Sequence, residues 1–259
     1  MLLLADIGNS EIVLGLRDPD GEITVRWRVR SADARRTADE FGVLLRELLA
    51  ARPPAETLQG CCISSVVPSL TGVLAEGVRA YLGVETREFR FAPALGIRLD
   101  VDEPAQVGAD RVANTLAAHL GYPGPAIVVD LGTATKFDVV GADGTFLGGI
   151  IAPGIESGVT GLSTRTALLP RIAPGFPDSF IGKTTVANMQ IGVYQGAVVL
   201  IDGLVRRIRA EWESDARVIA TGGLAGLVSP HAMTIDVVDP DLTLKGIGWG
   251  HDRLWSRTV

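Results

Sequence analysis

Residues 126–148, AIVVDLGTATKFDVVGADGTFLG, carry the feature from which the architecture of the chain can be worked out. An apolar run ends at Asp130, the DLGTAT turn follows, and a second apolar run then leads to an Asp-Gly pair. Asp-Gly between apolar runs is a strong signal for a β-hairpin. The segment therefore predicts a strand, a glycine-containing turn and further strands that fold back on the first.

The same unit opens the chain as MLLLADIGNSEIVLGLRDPDGEI, residues 1–23. An acid, a glycine and a hydroxyl residue recur in both copies, as Asp6, Gly8 and Ser10 and as Asp130, Gly132 and Thr133. Each copy is followed by stretches with helical spacing of apolar residues, and strands followed by helices predict an α/β fold. We therefore expect two halves built on one plan, residues 1–120 and 121–259, with the boundary at the Gly/Pro-rich stretch 121–125.

Composition limits the classes of function. The chain has 259 residues, 47% of them hydrophobic, and a net charge of −6, so the basic stripe of a nucleic-acid-binding protein is not expected. No apolar segment approaches the roughly 20 residues that span a bilayer, and Asp6 interrupts the first apolar run too early for a signal peptide. The two cysteines, Cys61 and Cys62, are neighbours and suggest buried, reduced thiols. We expect a cytoplasmic protein without a membrane or nucleic-acid partner.

The repeated turns suit phosphate binding. Glycine lets an anion approach the backbone, successive N–H groups and hydroxyls donate hydrogen bonds, and an aspartate beside them can hold a cation. Two such turns, one in each half, predict a clamp on a nucleotide polyphosphate. A third glycine turn follows the apolar run of RVIATGGLAG, residues 217–226. There a base or ribose could lie against the backbone of Gly222 and Gly223.

In this order the three turns resemble those of the actin-like, sugar-kinase and Hsp70 ATPase superfamily. Four further blocks narrow the resemblance to type III pantothenate kinases: GADR (108–111), GGIIAPG (148–154), GKTT (182–185) and DLTLKG (241–246). The similar blocks run from residue 1 to about residue 246, nearly the whole chain. The resemblance implies two duplicated ribonuclease-H-like halves with the nucleotide cleft between them.

The resemblance also implies an activity, the ATP-dependent phosphorylation of pantothenate at the start of coenzyme A synthesis, with Asp110 as the general base. The residues that it assigns to ATP are Asp6, Ile7, Gly8, Asn9, Ser10, Thr133, Gly222 and Gly223. Those that it assigns to pantothenate are Val101, Gly108, Ala109, Asp110, Arg111 and Thr185. Thr185 is supplied across a homodimer interface, Mg²⁺ lies near Asp6, and Asp130 binds a monovalent cation, K⁺ or NH₄⁺.

Three positions depart from the family. Lys136 replaces the last threonine of the usual GTATT; its ammonium group either contacts the polyphosphate or displaces the cation at Asp130. Val101 stands where many members have tyrosine, and Ser10 replaces threonine but keeps the hydroxyl. Lys136 and Val101 leave open a related kinase that acts on another small hydroxyl compound. A nucleotide-binding regulator without catalysis is a further alternative, although such a protein would not need Asp110 as a proton acceptor.

Two other patterns do not predict sites. GKTT looks like the end of a P-loop, but six residues separate Gly175 from Gly182 where the P-loop has four, and no apolar strand precedes them. The three histidines, His119, His231 and His251, are too scattered to predict a metal site.

Overall fold

A computed structural model of the chain describes residues 1–31, 36–52 and 57–255. The chain folds into two compact units, one formed by Met1–Gly121 together with the chain from Asp241 onward, the other by Tyr122–Pro240. The predicted extent of the second half, 121–259, is therefore wrong at its end. The final helix packs with the first unit, because its apolar residues complete a core that the first 121 residues leave open.

The first unit contains six strands and four helices among its described residues. The strands are β1 (Leu2–Ile7), β2 (Glu11–Arg17), β3 (Ile23–Arg30), β4 (Gly60–Ser65), β5 (Thr86–Glu88) and β6 (Arg98–Leu99). The helices are α1 (Ala38–Ala51), α2 (Pro68–Leu82), α3 (Ala109–Gly121) and the last helix of the chain, α8 (Leu242–Trp255).

The second unit repeats the succession of strands and helices. Its strands are β7 (Ala126–Leu131), β8 (Ala134–Val140), β9 (Thr145–Pro153), β10 (Arg217–Thr221) and β11 (Val237–Val238). Its helices are α4 (Ile155–Arg165), α5 (Thr185–Gln190), α6 (Gly196–Trp212) and α7 (Ala225–Val228). The sequence predicts a helical stretch around residues 155–168, and α4 begins there at Ile155 but ends three residues earlier, at Arg165.

Five strands in each unit share one topology, which confirms the predicted duplication. In the first unit the strand order is β3-β2-β1-β4-β5, with β1, β2 and β3 antiparallel and β1, β4 and β5 parallel. In the second unit β9-β8-β7-β10-β11 follow in the equivalent order, again with an antiparallel meander and two parallel additions. Each unit thus has a ribonuclease-H-like sheet, and in each the glycine turn joins the first two strands.

The first strand of the first unit is buried on both faces. Leu3, Ala5 and Ile7 belong to one core cluster with the inward faces of α1 and α2, whereas Leu4 belongs to a second cluster with residues of α3 and α8. Because successive side chains of a strand point to opposite faces, a doubly covered strand needs an apolar residue at nearly every position. The LLLA run supplies these residues, so Asp6 is the conspicuous polar side chain in this strand.

The sequence predicts one long helix across residues 186–212, but in the structure this helix is interrupted. It forms as α5 and α6 joined by one π-helical turn over Ile191–Gln195, in which the N–H of Gly196 donates to the carbonyl of Ile191. An inserted π turn keeps the chain helical but shifts which side chains face the core after it. Apolar periodicity alone predicted one continuous helix because the shift is only a fraction of a turn.

Membrane-spanning character is absent from the helices in the described ranges: none combines the necessary length with a sufficiently apolar sequence.

Candidate active site

The first glycine turn joins β1 to β2. The N–H of Gly8 donates to the carbonyl of Glu11 at 2.9 Å, which closes a short loop in which Asn9 and Ser10 are exposed. The side chain of Ile7, by contrast, is buried in the core. Of the residues assigned to ATP in this turn, Asn9 and Ser10 can therefore offer side chains to a ligand, whereas Ile7 can offer only its backbone.

Asp6 lies at the carboxyl end of β1 and is only partly buried. It faces Ser64 across the parallel β1–β4 pair, and the Ser64 hydroxyl donates to the Asp6 carboxylate at 3.1 Å. Sequence reasoning missed Ser64, although two serines at the end of an otherwise apolar strand were a detectable signal. This hydrogen bond orients the carboxylate at the edge of the sheet where the turn lies.

The surroundings of Asp6 fit a magnesium ion. Mg²⁺ keeps several of its waters and usually binds through one or two carboxylates together with substrate phosphates. A cage of three or more acidic, histidine or cysteine side chains does not occur among the residues that the structure describes. A single oriented aspartate beside a turn that is predicted to bind phosphate is the donor set that such a hydrated ion needs.

The GADR block forms the start of α3. Asp110 lies in its first turn, and the N–H of Val112 donates to the carbonyl of Gly108 at 3.1 Å. A Cβ atom at position 108 would collide with the carboxylate of Asp110, so glycine lets this carboxylate turn back over the start of the helix. Peptide dipoles at a helix N-terminus stabilise a negative charge, so the start of α3 suits a carboxylate.

A cavity of about 1030 Å³ lies beside this block, within the first unit. Gly108 and Ala109 line it together with the end of β4, at Ser65 and Val66, and with Phe91. Val101, Asp110 and Arg111, which were also assigned to pantothenate, are partly buried but are not among its lining residues. The structure thus places part of the predicted substrate site at a cavity large enough for a small molecule.

The second glycine turn joins β7 to β8. The N–H of Gly132 donates to the carbonyl of Ala134 at 3.2 Å, and Thr133 is exposed at the tip. The carbonyl of Thr133 accepts the Ser157 hydroxyl at 3.1 Å, and a side chain at Gly154 would overlap that carbonyl. The start of α4 therefore packs against the backbone of the turn, and the threonine side chain stays exposed.

The third glycine turn follows β10 and lies next to the second. β10 pairs in parallel with β7, and Leu224 donates its N–H to the carbonyl of Leu131 at 3.1 Å. Gly222 has a positive φ of 91°, and a Cβ atom there would lie 2.6 Å from Oδ1 of Asp130. Within this unit the loops predicted to bind phosphate and adenosine therefore share one edge of the sheet.

Asp130 is paired with Lys136. Nζ of Lys136 lies 2.8 Å from Oδ2 of Asp130, and the two residues are direct partners in the β7–β8 register. The side chains are only 17% and 12% exposed. A resident K⁺ or NH₄⁺ on this carboxylate oxygen does not fit, because an ammonium group already occupies that position.

Thr185 is the first residue of α5 and is exposed. The cap of that helix is the preceding Thr184, whose hydroxyl accepts the N–H of Ala187 at 3.1 Å. The hydroxyl of Thr185 is thus not the group that caps the helix. Its assignment to a neighbouring subunit's substrate stays a prediction.

No helix or strand occurs in residues 166–184, consistent with rejecting GKTT as a P-loop.

Known proteins resemble this chain over almost its full length. The sequence profile described as type III pantothenate kinase matches residues 2–207. A type III pantothenate kinase of Rhizorhabdus wittichii is 47% identical over 258 residues, which cover 98% of each chain. One from Moorella thermoacetica is 44% identical over 254 residues, covering 98% of this chain and 99% of the relative.

Solved structures support the fold. A ROK family glucokinase of Streptomyces griseus superposes with a TM-score of 0.52 at 11% identity, covering 95% of this chain and 98% of the other. The ethanolamine utilization protein EutJ of Carboxydothermus hydrogenoformans gives 0.52 at 17% identity, covering 95% and 88%. At such identities the likeness shows the fold alone. The profile match and the sequence relatives show that the chain belongs to the type III pantothenate kinase family.

Proposed function

We propose that this protein transfers the γ-phosphoryl group of ATP to the primary hydroxyl of pantothenate and thereby makes 4′-phosphopantothenate for coenzyme A synthesis. The observation that carries the proposal is the carboxylate of Asp110, held in the first turn of α3 beside the cavity in a member of this family. Phosphoryl transfer needs positioning, charge stabilisation and a group that accepts the hydroxyl proton.

Asp110 acts as the general base. Its carboxylate takes the proton of the pantothenate hydroxyl, the oxygen bonds to the γ-phosphorus, and the bond from that phosphorus to the bridging oxygen breaks as ADP leaves. Arg111, next along the helix, pairs with the carboxylate of pantothenate, since guanidinium groups bind carboxylates in a fixed geometry. Val101, Gly108 and Ala109 complete the substrate site.

ATP is bound by the glycine turns. Backbone N–H groups of the first turn and the hydroxyls of Ser10 and Thr133 donate to phosphate oxygens, and Asn9 contributes a side-chain amide. Gly222 and Gly223 present bare backbone to the nucleoside. Asp6 would hold Mg²⁺ near the phosphates, and the ion would supply positive charge against the negative charge of the transferring group.

A homodimer supplies the last contact. Thr185 at the exposed start of α5 reaches the substrate of a second subunit, as the family resemblance predicts. The cytoplasmic location likewise stays a prediction.

The test is an assay of ADP release by the purified protein with ATP, Mg²⁺ and pantothenate. We expect pantothenate-dependent turnover, and we expect Asp110→Asn to lower kcat by about 10²–10⁴, the usual contribution of a general base. Asp20→Asn, which removes an exposed carboxylate from the β2–β3 turn, serves as the matched control and should keep wild-type activity.

The assay also separates the alternatives. ADP release only with another hydroxyl compound would replace pantothenate as the acceptor, as the valine at position 101 leaves open. ATP binding without turnover on any acceptor would show a nucleotide-binding regulator instead. Either result would overturn the proposed activity.

A further inference from the structure

The ion pair of Lys136 and Asp130 is built into the second unit's sheet. The two residues face each other across antiparallel strands β7 and β8, so the ladder hydrogen bonds fix the distance between their Cα atoms. Side chains of directly opposed residues lie on the same face and within reach of each other. The 2.8 Å contact therefore follows from the hairpin register and does not depend on a loop.

This pair lies at the edge where two of the predicted nucleotide loops meet. Oδ1 of Asp130 would be 2.6 Å from a Cβ atom at Gly222 and 3.5 Å from one at Gly132, whereas Oδ2 contacts Lys136. One carboxylate thus contacts the lysine and lies close to both the third turn and the second turn. A change in the charge or position of this carboxylate would therefore affect both loops directly.

The carboxylate needs a positive partner. Asp130 as a whole residue is 9% exposed, and an ionised carboxylate removed from water is costly unless a counter-charge and hydrogen bonds compensate it. The family resemblance assigns that role to a monovalent cation, which must be taken up from solution. In this chain the strand itself carries a cation of the same charge, at the position where the usual family residue is a neutral threonine.

The lysine and a bound ion would exclude each other. Two unit positive charges on one carboxylate oxygen, in a place where solvent screens them little, repel strongly. The lysine is covalently attached beside the carboxylate at all concentrations of salt, whereas a dissolved ion loses translational entropy when it binds. The tethered ammonium therefore has an advantage over dissolved K⁺ at this carboxylate oxygen.

We propose that the ammonium group of Lys136 replaces the monovalent cation at Asp130, so that nucleotide binding and catalysis in this chain do not require K⁺ or NH₄⁺. The inference rests on the proposed function for its catalytic half, since it concerns the same ATP site.

The first test compares activity in choline, K⁺ and NH₄⁺ chlorides at constant ionic strength. The wild-type rate should change less than about twofold among the salts. Lys136→Thr should lose at least about tenfold in choline and regain activity in K⁺ or NH₄⁺, because the position of the ammonium is then open to an ion. Lys136→Met, which keeps the bulk but not the charge, should stay impaired in all three salts.

Arg207→Thr is the matched control for loss of one positive charge. Arg207 is exposed on α6 of the same unit, so its replacement should leave the salt response unchanged. Activation of the wild-type protein by K⁺ of tenfold or more would overturn the proposal. That measurement needs no variant, so the proposal stays testable even if a substituted chain fails to fold.

The second test does not depend on turnover. Thallous ion, Tl⁺, serves as a probe for K⁺ sites, and its binding is followed by equilibrium dialysis or thallium NMR. Lys136→Thr should bind Tl⁺ in a form that K⁺ displaces, and wild-type protein should lack that binding. Folded Lys136→Thr without such binding, or wild-type protein with it, would contradict the replacement. If the wild type shows no pantothenate-dependent turnover but the Tl⁺ contrast holds, the proposed function fails and this inference survives.

Discussion

Gly222 has a backbone conformation that residues with a side chain rarely adopt. Its φ is 91°, and a Cβ atom would press on the Asp130 carboxylate and on the backbone of Leu131. Neighbouring Gly226 in α7 has nothing within 4 Å of such an atom. The same substitution at these two positions therefore separates the effect of the turn from the effect of losing a glycine.

We predict that Gly222→Ala destabilises the protein by about 1–3 kcal/mol, the usual cost of a strained backbone position. It should also weaken ATP binding at least about tenfold, or 1.4 kcal/mol, because the loop must move away from Asp130. Isothermal titration with ATP and urea unfolding measure the two effects. Gly226→Ala should alter neither by more than about 0.5 kcal/mol; equal effects at both positions would refute the role of the turn.

His251 in α8 gives a prediction about pH. Burial lowers the pKa of His251 from its ordinary value of 6.5; Asp252 acts in the opposite direction, and Arg17 and Arg87 lower it further. The folded state favours the neutral ring of His251. Its contribution to the free energy of unfolding is therefore complete above pH 6.5 and is lost as the pH falls towards the lowered pKa of the folded state.

Urea unfolding between about pH 8 and pH 5 should therefore show a falling free energy of unfolding, and His251→Gln should flatten part of that fall. His119→Gln is the control histidine variant. An unchanged pH profile in His251→Gln would show that other groups cause the loss.

At the scale of elements, the close packing of α8 on α3 stands out. A Cβ atom at Gly246 would overlap the carbonyl of Ala113 in α3, so the two helices approach each other through this glycine. The DLTLKG block, recognised only as a family motif in the sequence, thus has a packing reason for its glycine. Gly203 in α6 offers a contrast, since nothing lies within 4 Å of a Cβ atom there.

Replacing each glycine by alanine should have opposite effects. Gly203→Ala should stabilise the protein by up to about 1 kcal/mol through helix propensity. Gly246→Ala should destabilise it by about 1–3 kcal/mol, since overpacking forces the helices apart and outweighs propensity. Thermal and urea unfolding measure both; stabilisation by Gly246→Ala would show that the α3–α8 contact adapts without cost.

Helix ends explain why most elements could be predicted. α1 begins with a reciprocal capping box between Thr37 and Glu40, and α2 begins with a proline and ends at Gly83 in the left-handed conformation. These signals act over three or four residues and are visible in any sequence. The π turn between α5 and α6 has no such local signal, and it was missed.

At the scale of the whole molecule, the predicted dimer can be tested by mixing inactive subunits. If Thr185 acts on the partner's substrate, Asp110→Asn inactivates the site of its own subunit, whereas Thr185→Ala inactivates the site of the partner subunit. A mixed dimer would then contain one site with both wild-type residues. Random exchange makes half of the dimers mixed, so about a quarter of the wild-type activity should return.

Light scattering would first establish whether the protein is a dimer, and ADP release before and after exchange would measure the recovery. Each variant exchanged only with itself is the control. If mixed dimers are demonstrably present but activity does not return, Thr185 belongs to the site of its own subunit or to no substrate site.

The sequence by itself determined the repeated strand–turn–strand units, most helices and the glycine turns, because periodicity and turn chemistry act between near neighbours in the chain. It also singled out Asp110, Asp130 and Lys136 as candidate site residues, but left open two roles for the lysine. Only the tertiary structure decided that Lys136 contacts Asp130, that Ser64 holds Asp6 from 58 residues away, and that α8 returns to the first unit. These contacts depend on strand register and on the shape of a core assembled from distant segments, which no local preference of the chain specifies.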